Sequence, residues 1–361
     1  MNILITGICG FAGNVIARGL AGLMPGVRIL GIDNLSRKGS ETNLQPLRGE
    51  GFEVSVIDVR DRAALDDLPA TDWVIDCAAN PSILAGLGAA SCSRDLLEQN
   101  LYGTVNLLEK CREWKAGFIL LSTSRVYSID ALRSLPLHNA ASRFELPATA
   151  HGAGWSEAGV MEDFSTAAPI SLYGSSKLCS EALALEYGSA FGFPVWINRC
   201  GVLAGAGQFG KADQGIFSYW IHSWKSHRPL RYIGFGETGH QVRDCLHPRD
   251  LVLILAQQLQ ERGEGKPRII NLSGGAGNSM SLAELTTWCS RKFGPNPKLS
   301  TATATGKAME SARPYDLPWV ILDHARAARE WGWRPITPLT DILEEIALHA
   351  ETHPAWLELV A

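Results

Sequence analysis

A doubly wound parallel α/β sheet with a smaller C-terminal lobe is the fold this sequence predicts, on three observations. Apolar, strand-like runs alternate with helical segments through the first half of the chain, the pattern of a sheet covered on both faces. Gly7, Gly10 and Gly13 fall at the junction of the first strand and the first helix. An acid, Asp33, then ends the next apolar strand, about twenty residues on. Right-handed crossovers turn that alternation into a Rossmann sheet.

The predicted strands are Asn2–Thr6, Arg28–Asp33, Glu53–Asp58, Trp73–Ala78, Phe118–Ser122 and Pro194–Arg199, with helices over Phe11–Leu23, Cys92–Trp114 and Leu172–Phe191. Ile3 to Met24 carries a single charge, Arg18, and is long enough to suggest a membrane span or signal peptide. Gly7, Gly10, Gly13 and Asn14 interrupt it and no basic region precedes it, so it divides into a short strand and an amphipathic helix. The two long helices carry apolar stripes on more than one face. They either pair with their copies in a homodimer or pack within the chain. Ser128 to Ile170 shows little periodicity and contains Pro136, Pro147, Gly152, Gly154 and Trp155, which predicts a functional cover or a mobile loop. Beyond Leu203 the alternation loosens around Gly205, Gly207, Gly210 and Gly215. The expected organisation is a nucleotide-binding domain over 1–202 and a mainly substrate-binding lobe over 203–361, with some segments returning to the first domain.

With 361 residues, 46% of them hydrophobic and 19% charged, the chain can bury a substantial core. A net charge of −4 offers no broad cationic surface for nucleic acid or anionic membrane, so neither is an expected partner. Eight cysteines without a Cys-x-x-Cys pair suggest free thiols in a reducing, cytoplasmic setting. The nine histidines form no ligand motif, and no metal is expected.

Glycines spaced Gly-x-x-Gly-x-x-Gly let the backbone turn tightly and approach a pyrophosphate, whose charge meets the free N–H groups at the N-terminus of the following helix. Asp33 can take the adenosine ribose hydroxyls, and its carboxylate would repel a 2′-phosphate, which argues for NAD over NADP. Arg37 and Lys38 pull the other way, since they could neutralise that phosphate, or they form a solvated basic loop. Asp58 could meet the adenine amino group, and Ala78 and Ala79 leave room beside the cofactor. Tyr173 and Lys177, four apart on a helix, share one face, so the Lys177 ammonium can lower the Tyr173 pKa toward that of a general base. Thr123 could complete the site.

Together these motifs resemble the extended short-chain dehydrogenase/reductase family, the NAD-dependent nucleotide-sugar epimerases and dehydratases, over nearly the whole chain. A closer likeness, to its 2-epimerases of CDP-linked deoxyhexoses, is carried by Asp33–Gly39, by Gly207-Gln208-Phe209 with Asp213-Gln214-Gly215, and by Gln241–His247. The resemblance implies a tightly held NAD and a homodimer. It implies cofactor contacts at Gly7, Gly10, Phe11, Gly13, Asp33, Asn34, Ser36, Arg37, Asp58, Val59, Ala78, Ala79, Asn100, Tyr173 and Lys177. Catalytic roles fall to Thr123, Tyr173 and Lys177. A nucleotide-diphosphate sugar would be held by Gln208, Phe209, Gln214 and the guanidiniums of Arg243 and Arg313. The chain departs from the family at Val202, Ser128 and the Asp76–Ala79 segment. It also has Ser124-Arg125 where dehydratases carry Asp-Glu, which argues against dehydration. A UDP-sugar 4-epimerase and a nucleotide-sugar dehydrogenase or reductase remain alternatives.

Overall fold

Seven parallel strands form the central sheet of the computed structural model, which describes residues 1–87, 92–263, 265–300 and 315–360. In chain order they are β1 (Asn2–Thr6), β2 (Arg28–Asp33), β3 (Glu53–Val56), β4 (Trp73–Asp76), β5 (Gly117–Thr123), β6 (Val195–Cys200) and β7 (Ile269–Leu272). Across the sheet the order is β3-β2-β1-β4-β5-β6-β7, and it reverses direction between β1 and β4. Ligands in such sheets bind outside the carboxyl ends of the strands at that reversal. Ile3, Ile5, Ile75 and Ile119 bury one face, and Leu4, Val74, Phe118 and Leu120 the other.

Helices fall where the apolar periodicity placed them: α1 at Phe11–Leu23, α2 at Gly103–Trp114 and α3 at Ser171–Phe191. The segment before α2 is helical from Ser93, but Glu98–Tyr102 winds as a π-helical turn. Such turns often mark functional sites. Two strands end earlier than expected. Beyond Val56 the Asp58 carboxylate accepts the Arg60 N–H at 2.9 Å, closing a turn. Beyond Asp76 the N–H groups of Cys77 and Ala78 donate to the Thr6 hydroxyl, at 3.2 and 3.0 Å, rather than to a strand. Strand β7 went unpredicted, being four residues in the half where the alternation is loose.

The segment over 128–170 is packed structure. It holds a short helix (Ile129–Arg133), the hairpin His138–Asn139 with Phe144–Glu145, and a small sheet of His151–Gly152, Trp155–Ser156 and Gly159–Val160. Phe144 is buried against Phe235, and Val160 and Phe164 against Leu317–Leu322.

The C-terminal lobe is built on the strand Val242–Leu246, which pairs with Val202–Leu203, Ser279–Ser281 and Trp319–Val320. Phe217, Trp220, Trp224, Leu285, Ile342 and Ile346 form its core. At the junction of sheet and lobe the Gly201 N–H donates to the Leu272 carbonyl at 2.8 Å. The buried Asp244 carboxylate accepts the N–H groups of Val202 at 3.2 Å and Leu322 at 2.9 Å. A Cβ on Gly201 would stand 2.5 Å from that carboxylate. Burial pushes the Asp244 carboxyl up to about 6. No helix among the described residues is long and apolar enough to cross a membrane.

Candidate active site

Gly7 takes φ +62°, which only glycine adopts without strain, and a Cβ there would press on the Ala78 backbone at 3.0 Å. A Cβ on Gly13 would overlap the Gly7 carbonyl oxygen, so glycine at both positions lets α1 start directly on the turn. No side chain caps α1 at Gly10, which leaves the N–H groups of its first turn for an anion. Gly13→Ala is expected to push α1 off β1 at a cost of about 1–3 kcal/mol. Thermal melts with and without NAD would read both the lower melting temperature and the lost rise with cofactor; an unchanged rise would contradict this account.

Asp33 ends β2 with its carboxylate held by the N–H groups of Cys9 at 3.0 Å and Leu35 at 2.8 Å. Burial raises its pKa, against the pull of those N–H donors. An acid so placed, beside a cradle that a side chain would fill, fits the ribose and pyrophosphate of NAD. Asn34 donates to Asp58 at 2.8 Å, and the Ser36 N–H to Asn34 at 3.0 Å. The Asp58 carboxyl, held mainly by Arg60, drops to about 2. Arg37 turns away to hydrogen-bond the Phe209 carbonyl, facing Asp213, so its charge is engaged across the crevice. Val59 packs under Gly103, and Phe11 beside Gly205. Asn100, in the π-helical turn, is fully engaged: it accepts the Asn80 N–H at 2.7 Å and donates to the Asn80 carbonyl at 3.1 Å and to Ser176 at 3.2 Å. It therefore ties the loop after β4 to α3. Ala79 is exposed at that loop.

Thr123 ends β5, and its hydroxyl lies within hydrogen-bonding reach of Tyr173 on α3. Tyr173 and Lys177 share the buried face of α3, as their spacing predicts. The charge of buried Lys177 acts on Cys77 and Cys200, at the ends of β4 and β6. Burial raises the Tyr173 phenol to about 12, against the pull of Thr123 and the Arg125 guanidinium. Arg125, for which sequence reasoning had no role beyond excluding dehydration, is a cation whose charge acts on the phenol.

On the lobe side, Gln208 donates to the Leu203 carbonyl at 2.6 Å, while its Oε1 and the Gln214 Nε2 are buried without partners among the described residues. Such orphan atoms are the kind a ligand satisfies. Phe209 is buried instead against Trp356, 5.7 Å between rings. Arg243 donates to the Leu317 carbonyl at 2.8 Å and pairs with Asp316 at 3.5 Å, rather than with its neighbour Asp244 or with Asp250. Arg313 lies outside the described residues. Ser82 on the loop after β4 donates to Asp213 at 2.7 Å, tying that loop to the segment that follows Gly207.

The family model described as NAD dependent epimerase/dehydratase family matches residues 3–273. The CDP-paratose 2-epimerase of Salmonella typhi is 30% identical over 297 residues, which are 79% of this chain and 82% of that protein. A dTDP-glucose 4,6-dehydratase of Actinoplanes is 27% identical over 366 residues, 99% of each chain. The crystal structure of UDP-glucuronic acid 4-epimerase from Bacillus cereus, in complex with UDP-glucuronic acid and NAD, superposes with a TM-score of 0.74. At 23% identity, covering 98% of this chain and 99% of that one, it shows a common fold.

Proposed function

This chain belongs to the NAD dependent epimerase/dehydratase family, and from that premise we propose that it inverts C2 of a CDP-linked deoxyhexose. The observation carrying the choice of epimerisation over dehydration is the charge beside the base: a guanidinium, Arg125, acts on Tyr173 where elimination of water would need an acid. The choice of C2 is supported by the 30% identity to a CDP-paratose 2-epimerase and by the Asn34–Gly39, Gln208–Gly215 and Gln241–His247 segments.

In this reading Tyr173, as phenolate, removes the proton from a sugar hydroxyl, and Thr123 holds that oxygen. NAD, when bound against the Gly7–Gly13 turn and Asp33, supplies the hydride acceptor and donor. Arg243, with Arg313, anchors the diphosphate so that the sugar can pivot and present both faces. The Ser82–Asp213 contact holds the loop after β4 to the segment carrying Gln208 and Gln214. A homodimer through α2 and α3 fits the exposed Tyr102 and Phe191, at 60% and 48% of full exposure on these helical segments.

Substrate carrying deuterium at C2 is expected to give C2-inverted product that keeps the label, read by NMR. Complete washout into water would exclude the hydride route. Inversion at C4 would move the assignment to a UDP-sugar type 4-epimerase, and failure with every nucleotide sugar to a dehydrogenase.

A further inference from the structure

Arg125 follows Thr123 by two residues, in the short turn Ser124–Val126 that leaves β5. Two contacts fix its backbone to the catalytic groups. Its N–H donates to the Thr123 hydroxyl oxygen at 3.2 Å. Its carbonyl lies against Gly174, where any Cβ would overlap it, so α3 rides directly on Arg125 beside Tyr173.

The guanidinium is far less occupied than the backbone. Of its five N–H donors, one reaches the Tyr315 carbonyl, at 3.3 Å. It forms no ion pair among the described residues. Its electrostatic neighbours are Arg243, Asp316 and Tyr173. Arg125 and Arg243 thus bond the same strip of backbone, at Tyr315 and Leu317, with like charges acting on each other. One carboxylate, Asp316, faces both and pairs with Arg243. Burial lowers both guanidinium pKa values, Arg125 to about 10. Buried charges are ordinarily paired; Asp316 and Asp244 both act on Arg243, whereas the one carboxylate acting on Arg125, Asp316, is already paired with Arg243.

We propose that Arg125 contacts the substrate, binding the sugar-side phosphate of the nucleotide-diphosphate sugar between Arg243 and Tyr173. This deepens the nucleotide-sugar reading and rests on it. A fork of N–H donors suits phosphate oxygens, and a phosphate supplies the anion that Arg125 lacks among the described residues. The place along the substrate has a chemical consequence. C2 is bonded to the carbon that bears the phosphate, whereas C4 lies across the ring. A phosphate ligand whose backbone is fixed to the Thr123 hydroxyl and to Gly174, next to Tyr173, therefore favours reaction at the carbon next to the phosphate.

Calorimetric titration of the NAD-loaded protein with CDP and CMP, and with UDP and UMP in parallel, tests the proposal. Only the diphosphates carry the group in question. Arg125→Ala is expected to weaken diphosphate binding about tenfold or more, the scale of a charged hydrogen bond. Monophosphate binding should stay within a factor of two or so, with partial recovery in Arg125→Lys. NAD content and melting temperature of each variant confirm the fold. Equal weakening of mono- and diphosphates, or no change in either, would overturn the proposal and leave the nucleotide-sugar reading standing. A parental protein that binds neither diphosphate would overturn both.

Discussion

Tyr173→Phe is expected to lower turnover by about a hundredfold or more while NAD content and melting temperature stay at parental values. The phenol ring is buried on α3, so phenylalanine keeps the packing and deletes only the oxygen that faces Thr123. Burial has already raised that phenol to about 12, so its protonated form dominates at neutral pH in the protein itself. The rate of the parental protein should therefore climb with pH as phenolate becomes available, with Arg125 and a bound cationic ring shifting the rise downward. Residual activity of the Phe variant should lack that climb. Near-parental turnover in the variant would place the base elsewhere.

The second large effect is on stability. Arg199 on β6 and Glu181 on α3 form a buried ion pair at 2.6 Å, with both Glu181 oxygens accepting from the guanidinium. Ser122 also donates to Glu181, and Arg199 donates to the Tyr127 hydroxyl at 3.3 Å and the Glu162 carbonyl at 3.0 Å. Glu181→Ala strands the guanidinium in the core and is expected to cost about 3–5 kcal/mol, read as a lower denaturant midpoint. Replacing both partners, as Glu181→Leu with Arg199→Met, should recover much of the loss because no buried charge remains. A single variant within about 1 kcal/mol of the parent, or a double variant worse than the single, would mean the pair matters less than its burial implies.

What was legible in the sequence was local. The glycine turn, Asp33 at the end of β2 and the shared face of Tyr173 and Lys177 follow from spacing along one or two elements, and the structure places them so. What escaped depends on contacts between distant residues. Arg37 looks like a phosphate ligand until the chain brings Phe209, 172 residues on, to its guanidinium. Arg125 meets Tyr315 across 190 residues. The π-helical turn at Asn100 has no composition of its own; its reason is the hydrogen bonds to Asn80 and Ser176. The 128–170 segment lacks periodicity because its strands are two residues long, too short to display an alternation.

The junction at Gly201 bears on whether this chain can be treated as two interchangeable modules. A cut between 202 and 203 looks convenient for grafting a foreign lobe onto this cofactor half. Yet the connecting strand is fastened on both sides there: to Leu272 of the sheet, and through Asp244 to Val202 and Leu322. A chimera made at that point would part Gly201 and Val202 from Leu272, Asp244 and Leu322 at once. Glycine opposite the carboxylate is a matched pair, so a donor lobe lacking the acid would leave two backbone N–H groups without their acceptor, and a recipient lacking the glycine would collide with it. Recombination at this seam succeeds only if the Gly201–Asp244 pair and the strands carrying Leu272 and Leu322 travel together.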